Sequence, residues 1–229
     1  MEFPVEPAVA SSAVELPTGS YAFEPKYDGW RLCAHGGRPR AWARLHTRAG
    51  TDVASRFPEI VDAVAAVGDV VLDGEVVAAG GLPPRLEFAA LQAGPDHRKA
   101  RGIGVNLLAF DILAADGKDL RGLSCPQRRT VLEDLLDRHG PSRVQLVPST
   151  QAREQAGQWL DPSFGEAGIE GVVAKPLSGP YRRGQASGWI KIRHLITTEA
   201  VVGGVAGSRQ RPHALGLAAH HRAPAIRGV

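Results

Sequence analysis

The stretch Glu24-Pro25-Lys26-Tyr27-Asp28-Gly29-Trp30-Arg31 sets a lysine, a carboxylate, a glycine and an arginine between positions 26 and 31. Asp-Gly alone marks many surface turns. A lysine two residues before it and an arginine two residues after it specify more than a turn requires. Tyr21–Glu24 in front reads as a strand that Pro25 interrupts, and Trp30–His35 behind reads as the next strand. The lysine thus follows a strand and a proline.

Outward from there, Ala41–His46 alternates as a strand does. Ser55 is placed to cap a helix running to about Val67, with Phe57, Ile60, Val61 and Val64 on one face. Asp69–Ala79 is a β-rich run broken by Asp73-Gly74, Arg85–Gln92 a short helix, and Gln92–Gly102 a polar loop. Val105–Leu113 is a buried strand. Ser124 and Gln127 form a capping box for a helix striped by Val131, Leu132, Leu135 and Leu136. A further helix covers 151–160, and Ile169–Ala174 and Gly188–Arg193 close the pattern as strands. Helices fall irregularly among strands, which predicts an α+β fold rather than a regular β-α-β winding.

A chain of 229 residues, 43% hydrophobic and 22% charged, can bury a real core, so neither disorder nor a disulfide scaffold is needed. Cys33 and Cys125 lack metal-ligand spacing and are expected as buried thiols of a reducing compartment; the scattered histidines suggest no zinc site. Trp42 and Trp159 are expected to serve packing. No run approaches the ~18 apolar residues of a membrane span. The acidic N-terminal residues lack the basic region of a signal peptide, so the expected location is the cytoplasm, with no membrane partner. The net charge of +3 hides an asymmetry: from Gly171 onward nine Lys/Arg face Glu199 as the one acid. A basic final third fits a polyanion such as nucleic acid.

Five further elements follow the lysine segment. They are Thr47-Arg48-Ala49-Gly50 (with Ser55-Arg56-Phe57-Pro58-Glu59 behind it), Leu72-Asp73-Gly74-Glu75, Ala109-Phe110-Asp111-Ile112-Leu113, Glu170-Gly171-Val172-Val173-Ala174-Lys175 and Trp189-Ile190-Lys191-Ile192-Arg193. In this order the set resembles the signature of the covalent nucleotidyltransferases, which include ATP-dependent DNA ligases, RNA ligases and capping enzymes. It is most similar to bacterial ATP-dependent DNA ligases of the end-joining type. The resemblance implies a nucleotidyltransferase (ATP-grasp-like) adenylation domain over residues 1–195, built of antiparallel sheets flanked by helices.

An OB-fold domain follows in that family. Residues 196–229 are fewer than the roughly 41 that five strands and their connections need, so the OB domain is expected to be incomplete. Glu199–Gly207 and Ala214–Ala218 are its expected strands, and residues 220–229 an unpatterned tail. Slow self-adenylation and weak DNA binding are the expected consequences.

The resemblance implies ATP and Mg²⁺ (or Mn²⁺) as cofactors, nicked double-stranded DNA and end-joining repair proteins as partners, and a monomer. Lys26 is the expected nucleophile, forming a labile phosphoramidate with AMP. A free lysine, with a pKa near ~10.4, is almost wholly protonated at neutral pH and needs cationic company and desolvation to attack. Arg31, Lys175 and Lys191 would supply the charge and bind nucleotide. Arg48 and Arg31 are expected near the ribose and nick phosphate, and Glu24 at adenine N6. Glu75 and Glu170 are hard oxygen ligands suited to the metal, with Glu75 also near the ribose. Asp28 would hold the lysine or the metal's waters. Phe110 offers adenine a stacking surface, although a plain core position in an apolar strand is the simpler reading of its sequence. The rivals are an RNA ligase or capping-type enzyme, and a remnant that binds ATP or nicked DNA without turnover.

Overall fold

The computed structural model describes residues 4–37, 39–81, 85–194, 200–208 and 210–219. The chain divides into two units, Met1–His194 and Leu195–Val229. Strands of the first unit are β1 (Ser11–Ala13), β2 (Tyr21–Tyr27), β3 (Trp30–His35), β4 (Arg44–Thr47), β5 (Val70–Gly80), β6 (Arg85–Leu86), β7 (Gly104–Ala115), β8 (Lys118–Asp119), β9 (Val144–Leu146), β10 (Ile169–Pro176) and β11 (Ile190–Arg193). Its α-helices are α1 (Pro58–Val67), α2 (Pro95–Ala100), α3 (Cys125–His139) and α4 (Arg153–Gln158). One sheet runs β1-β11-β10-β2; the larger runs β4-β3-β5-β7-β8, with β6 on β5 and β9 on β7. Pairing is antiparallel except for β1 on β11 and β9 on β7. This is the expected α+β class.

Three apolar clusters fix the layers. Leu32, Leu72, Val76, Leu107 and Ile112 pack one face of the large sheet against Ile60, Val61 and Val64 of α1 and Leu132 and Leu135 of α3. Phe23, Val172, Ala174 and Ile192 cover the outer face of the small sheet, with Ala156 of α4. Cys33, Val71 and Leu113 meet Val5, Ala8, Tyr181 and Trp189 on the remaining face of the large sheet.

Several local expectations are corrected. Pro25 does not interrupt β2, because β2 is an edge strand. Phe23 exchanges two hydrogen bonds with Thr150 on the outer side. Alternate residues point their N–H groups the same way, so the missing N–H of Pro25 falls on that outer side, where the ladder asks nothing of it. Asp73-Gly74 likewise lies inside β5, at a register shift against β7. A Cβ on Gly74 would sit 2.7 Å from Leu107 Cδ1, so the strand passes closer to β7 than a side chain permits.

Ser55 lies in a short 3-10 turn, and α1 opens at Pro58 with Phe57 as its N-cap. Residues 40–42 are a 3-10 turn ahead of β4, and Trp42 is 67% exposed rather than packed. A 3-10 turn fills Phe88–Gln92, and the polar stretch after it holds α2. The capping box of α3 is formed, with the Ser124 N–H donating to Gln127 Oε1 at 2.9 Å. Both cysteines are buried and free.

In the second unit β12 (Ala200–Ser208) and β13 (Arg211–Ala219) form an antiparallel hairpin with Val201 and Val202 exposed. The expected strand start at Glu199 and the tail 220–229 lie outside the described residues. Among the described residues no helix is long and apolar enough to cross a membrane.

Candidate active site

Strand alternation builds the site. Successive side chains of a strand take opposite faces, so each strand that packs a core with one set of residues offers the other set to a shared cleft. On β2 Phe23 is buried in the outer cluster while Glu24 and Lys26 line the cleft. On β10 Val172 and Ala174 go out, and Val173 and Lys175 in; on β11 Ile190 and Ile192 go out, and Lys191 and Arg193 in. From the large sheet Arg31, Glu75 and Phe110 face the same space, about 980 Å³ including its open mouth. Gly29 is required at the β2–β3 turn: a Cβ there would lie 2.3 Å from the Val76 carbonyl oxygen and 2.8 Å from Glu75 Cγ.

Lys26 forms an ion pair with Glu170, which also lies 3.5 Å from Arg193 Nη2. Burial pushes the Glu75 carboxyl up to about 8, against the pull of Lys26 and Arg31; Asp73 and Glu170 add to the rise. Burial, with Glu170, also raises Asp28. The apolar end is as specific. Lys175 donates to the Phe110 carbonyl at 2.6 Å and pairs with Glu24 Oε2 at 2.7 Å. Its ammonium lies 4.7 Å from the Phe110 ring centroid and 4.4 Å from that of Trp189. Arg31 makes a two-pronged pair with buried Asp73, Nε to Oδ1 at 3.0 Å and Nη2 to Oδ2 at 2.7 Å. Its guanidinium stands 5.3 Å from the Phe110 centroid and 5.4 Å from that of Trp189.

Of the residues singled out in the sequence, Glu24, Lys26, Arg31, Arg48, Glu75, Phe110, Lys175 and Lys191 line one cleft, and Glu170 joins them through Lys26. Phe110 is half-buried and cleft-facing, whereas its neighbour Asp111 turns away to a buried pair with Arg128. Lys175 is 1% exposed, enclosed by Glu24 and the two rings. Sequence reasoning missed Val9 and Ala10, which line the cleft from the N-terminal segment. No local pattern marks them. Trp189 was visible within its motif, but its place against Phe110 was not.

The carboxylates fit the implied divalent ion. Among the described residues no three His, Cys, Asp or Glu side chains form a cage. Mg²⁺ needs none, since it commonly takes one or two protein carboxylates and completes its octahedron with water and substrate phosphates. Glu75 and Glu170 are within electrostatic reach of one another, and Glu170 is paired with Lys26.

A family model described as an ATP dependent DNA ligase domain matches residues 7–193, the span that holds the described cleft residues. The chain belongs to that family. Within the ligase-domain family, a probable DNA ligase of Beutenbergia cavernae is 36% identical over 204 residues, 86% of this chain and 38% of the relative. DNA ligase C2 of Mycolicibacterium smegmatis is 33% identical over 213 residues, 88% of this chain and 57% of that one. The chain therefore spans well under two thirds of these relatives. The crystal structure of the ligase domain of M. tuberculosis LigD superposes with a TM-score of 0.70 at 28% identity, covering 95% of this chain and 68% of that one. A mycobacterial DNA ligase D complexed with ATP gives 0.68 at 28%, covering 95% and 69%.

Proposed function

We propose that this chain carries the adenylation chemistry of an ATP-dependent DNA ligase. Lys26 Nζ, as the free amine, attacks the α-phosphorus of ATP. A P–N bond forms, the bond to the bridging oxygen breaks, and pyrophosphate leaves. AMP then passes to the 5′-phosphate at a nick in duplex DNA, and the 3′-hydroxyl displaces it to form the phosphodiester. The observation that carries this reading is the convergence of Lys26, Arg48, Lys191 and Arg193 on a cleft that Phe110 and Trp189 also line. The cations suit phosphates and the rings a flat base.

Glu24 would read the base edge, with Lys175, its ion-pair partner, beside it. Arg48, Lys191 and Arg193 would take phosphate oxygens. Before attack Lys26 must leave Glu170, its ion-pair partner. Glu75 and Glu170 would hold Mg²⁺, whose chemistry is to neutralise phosphate charge. End joining in the cytoplasm is the proposed setting, supported by relatives named multifunctional non-homologous end joining protein LigD.

The test is label transfer from ATP carrying label at its α-phosphate. Covalent label on the wild type and none on Lys26→Ala is the expected result. Label that survives Lys26→Ala would remove Lys26 from the mechanism.

A further inference from the structure

The loop between β10 and β11 carries a buried tyrosine that the adenylation chemistry does not use directly. Tyr181 is 6% exposed and is held from three sides. Its N–H donates to the Arg121 carbonyl at 2.8 Å. The Arg128 guanidinium lies 5.5 Å from its ring centroid, and Trp189 meets it edge-on at 5.7 Å. The ring has one rotational choice, so its hydroxyl has one address.

That hydroxyl closes a cycle of hydrogen bonds. It donates to Asp73 Oδ2 at 2.6 Å and accepts the Ala8 N–H at 2.8 Å. Arg31 Nη1 donates to the Ala8 carbonyl at 2.6 Å, and Arg31 Nη2 donates to the same Asp73 Oδ2 at 2.7 Å. The four members come from the N-terminal segment, β3, β5 and the β10–β11 loop. Asp73 is fully buried, and a buried carboxylate is stable only when its lone pairs are taken. With the tyrosine hydroxyl gone, Oδ2 keeps Arg31 alone and the Ala8 N–H loses its acceptor. Both anchors of the guanidinium are then free to shift. The tyrosine supplies only orientation.

We propose that Tyr181 is a positioning residue for Arg31, its hydroxyl fixing Asp73 and Ala8 so that the guanidinium is aimed into the nucleotide cleft. This rests on the adenylation reading above. Tyr181→Phe keeps the ring and its packing and removes only the hydroxyl. It is combined with Arg31→Lys in a double-mutant cycle. Single-turnover label transfer at saturating ATP, the dissociation constant for ATP and the melting midpoint are measured for all four proteins.

The expected result is a loss of roughly tenfold in label transfer for Tyr181→Phe, the scale of a hydrogen bond to a charged group. In the Arg31→Lys background the same change should cost less than about twofold, since the group it positions is already gone. An equal loss in both backgrounds would make Tyr181 a general brace and overturn the proposal, as would a full rate in Tyr181→Phe. A wild type that binds ATP but takes no label would sink the adenylation reading alone. Positioning would then be read in the ATP dissociation constant, with the same cycle and the same two outcomes. A wild type that neither takes label nor binds ATP overturns both.

Discussion

At the scale of single residues, the cleft depends on one position having no side chain. Gly29 lets the β2–β3 turn lie against Val76 and Glu75, and an added methyl would sit 2.3 Å from the Val76 carbonyl oxygen. Backbone cannot yield as a flexible side chain does, so Gly29→Ala must move the turn, and with it Lys26 and Arg31. The expected outcome is a stability loss of about 1–3 kcal/mol in urea unfolding, the usual cost of overpacking, with label transfer down by roughly tenfold or more from the displaced nucleophile. Unchanged label transfer would mean that the turn accommodates the methyl without moving the site. A second residue-scale effect concerns acid. Burial beside His46 lowers the His35 pKa to about 4 from 6.5. Between those values the unfolded chain binds a proton that the folded chain refuses. The stability His35 protects is therefore complete above about pH 6.5 and is lost as pH falls toward 4. His35→Gln removes that proton uptake. From pH 7 to pH 5 the wild-type melting midpoint should fall further than that of the variant, by about 3 °C or more. Parallel curves would refute it.

At the scale of elements, α3 is tied to the strand that carries Phe110 by a buried pair. Arg128 Nε and Nη2 reach Asp111 Oδ1 and Oδ2 at 2.7 and 2.9 Å, and Nη1 reaches the Leu123 carbonyl at 2.6 Å. Asp111 follows Phe110 on β7, so the pair holds one side of the strand while the Phe110 ring fills the other. Arg128→Ala strands a buried carboxylate and should cost about 3–5 kcal/mol in urea unfolding. Replacing both partners, Asp111→Leu with Arg128→Met, should recover most of that loss, because no unpaired charge remains. If the double variant is no more stable than Arg128→Ala, the loss lies in packing rather than in charge. The helix itself was legible in the sequence, since its capping box and its Leu132 and Leu135 stripe are local signals. Its electrostatic tie to Asp111 was not, because the partner is 17 residues away. Pro25 and Asp73-Gly74 show the converse error. Both are breakers by local rule, and both sit inside strands because the sheet gave one an edge and the other a close neighbour. The stretch read as a polar loop hid α2 for a related reason: six residues are too few to show a helical period.

At the scale of the molecule, the motifs made eight of the cleft-lining side chains readable in advance, since each is a short pattern with its own chemistry. What stayed hidden was everything that joins them. Val9 and Ala10 reach the cleft only because the N-terminal segment is stitched across the far end of the chain. The Val9 N–H donates to the Gly184 carbonyl, the Ser11 N–H to the Trp189 carbonyl, and Ser187 Oγ to the Val9 carbonyl. Such contacts span more than 170 residues of sequence, and periodicity does not register them. Among the described residues, those lining the cleft fall within Met1–His194, as does every member of the Tyr181 cycle. A chain ended after His194 should therefore fold and bind ATP within about threefold of the full chain, a difference below 1 kcal/mol. A chain begun at Ser11 should bind at least roughly tenfold more weakly, because Arg31 Nη1 and the Tyr181 hydroxyl each lose a partner at Ala8. Titration of all three with ATP, followed by calorimetry, decides it. Equal affinity in the chain begun at Ser11 would show that the N-terminal segment only covers the cleft. Lost affinity in the chain ended at His194 would show that residues 195–229 take part in binding.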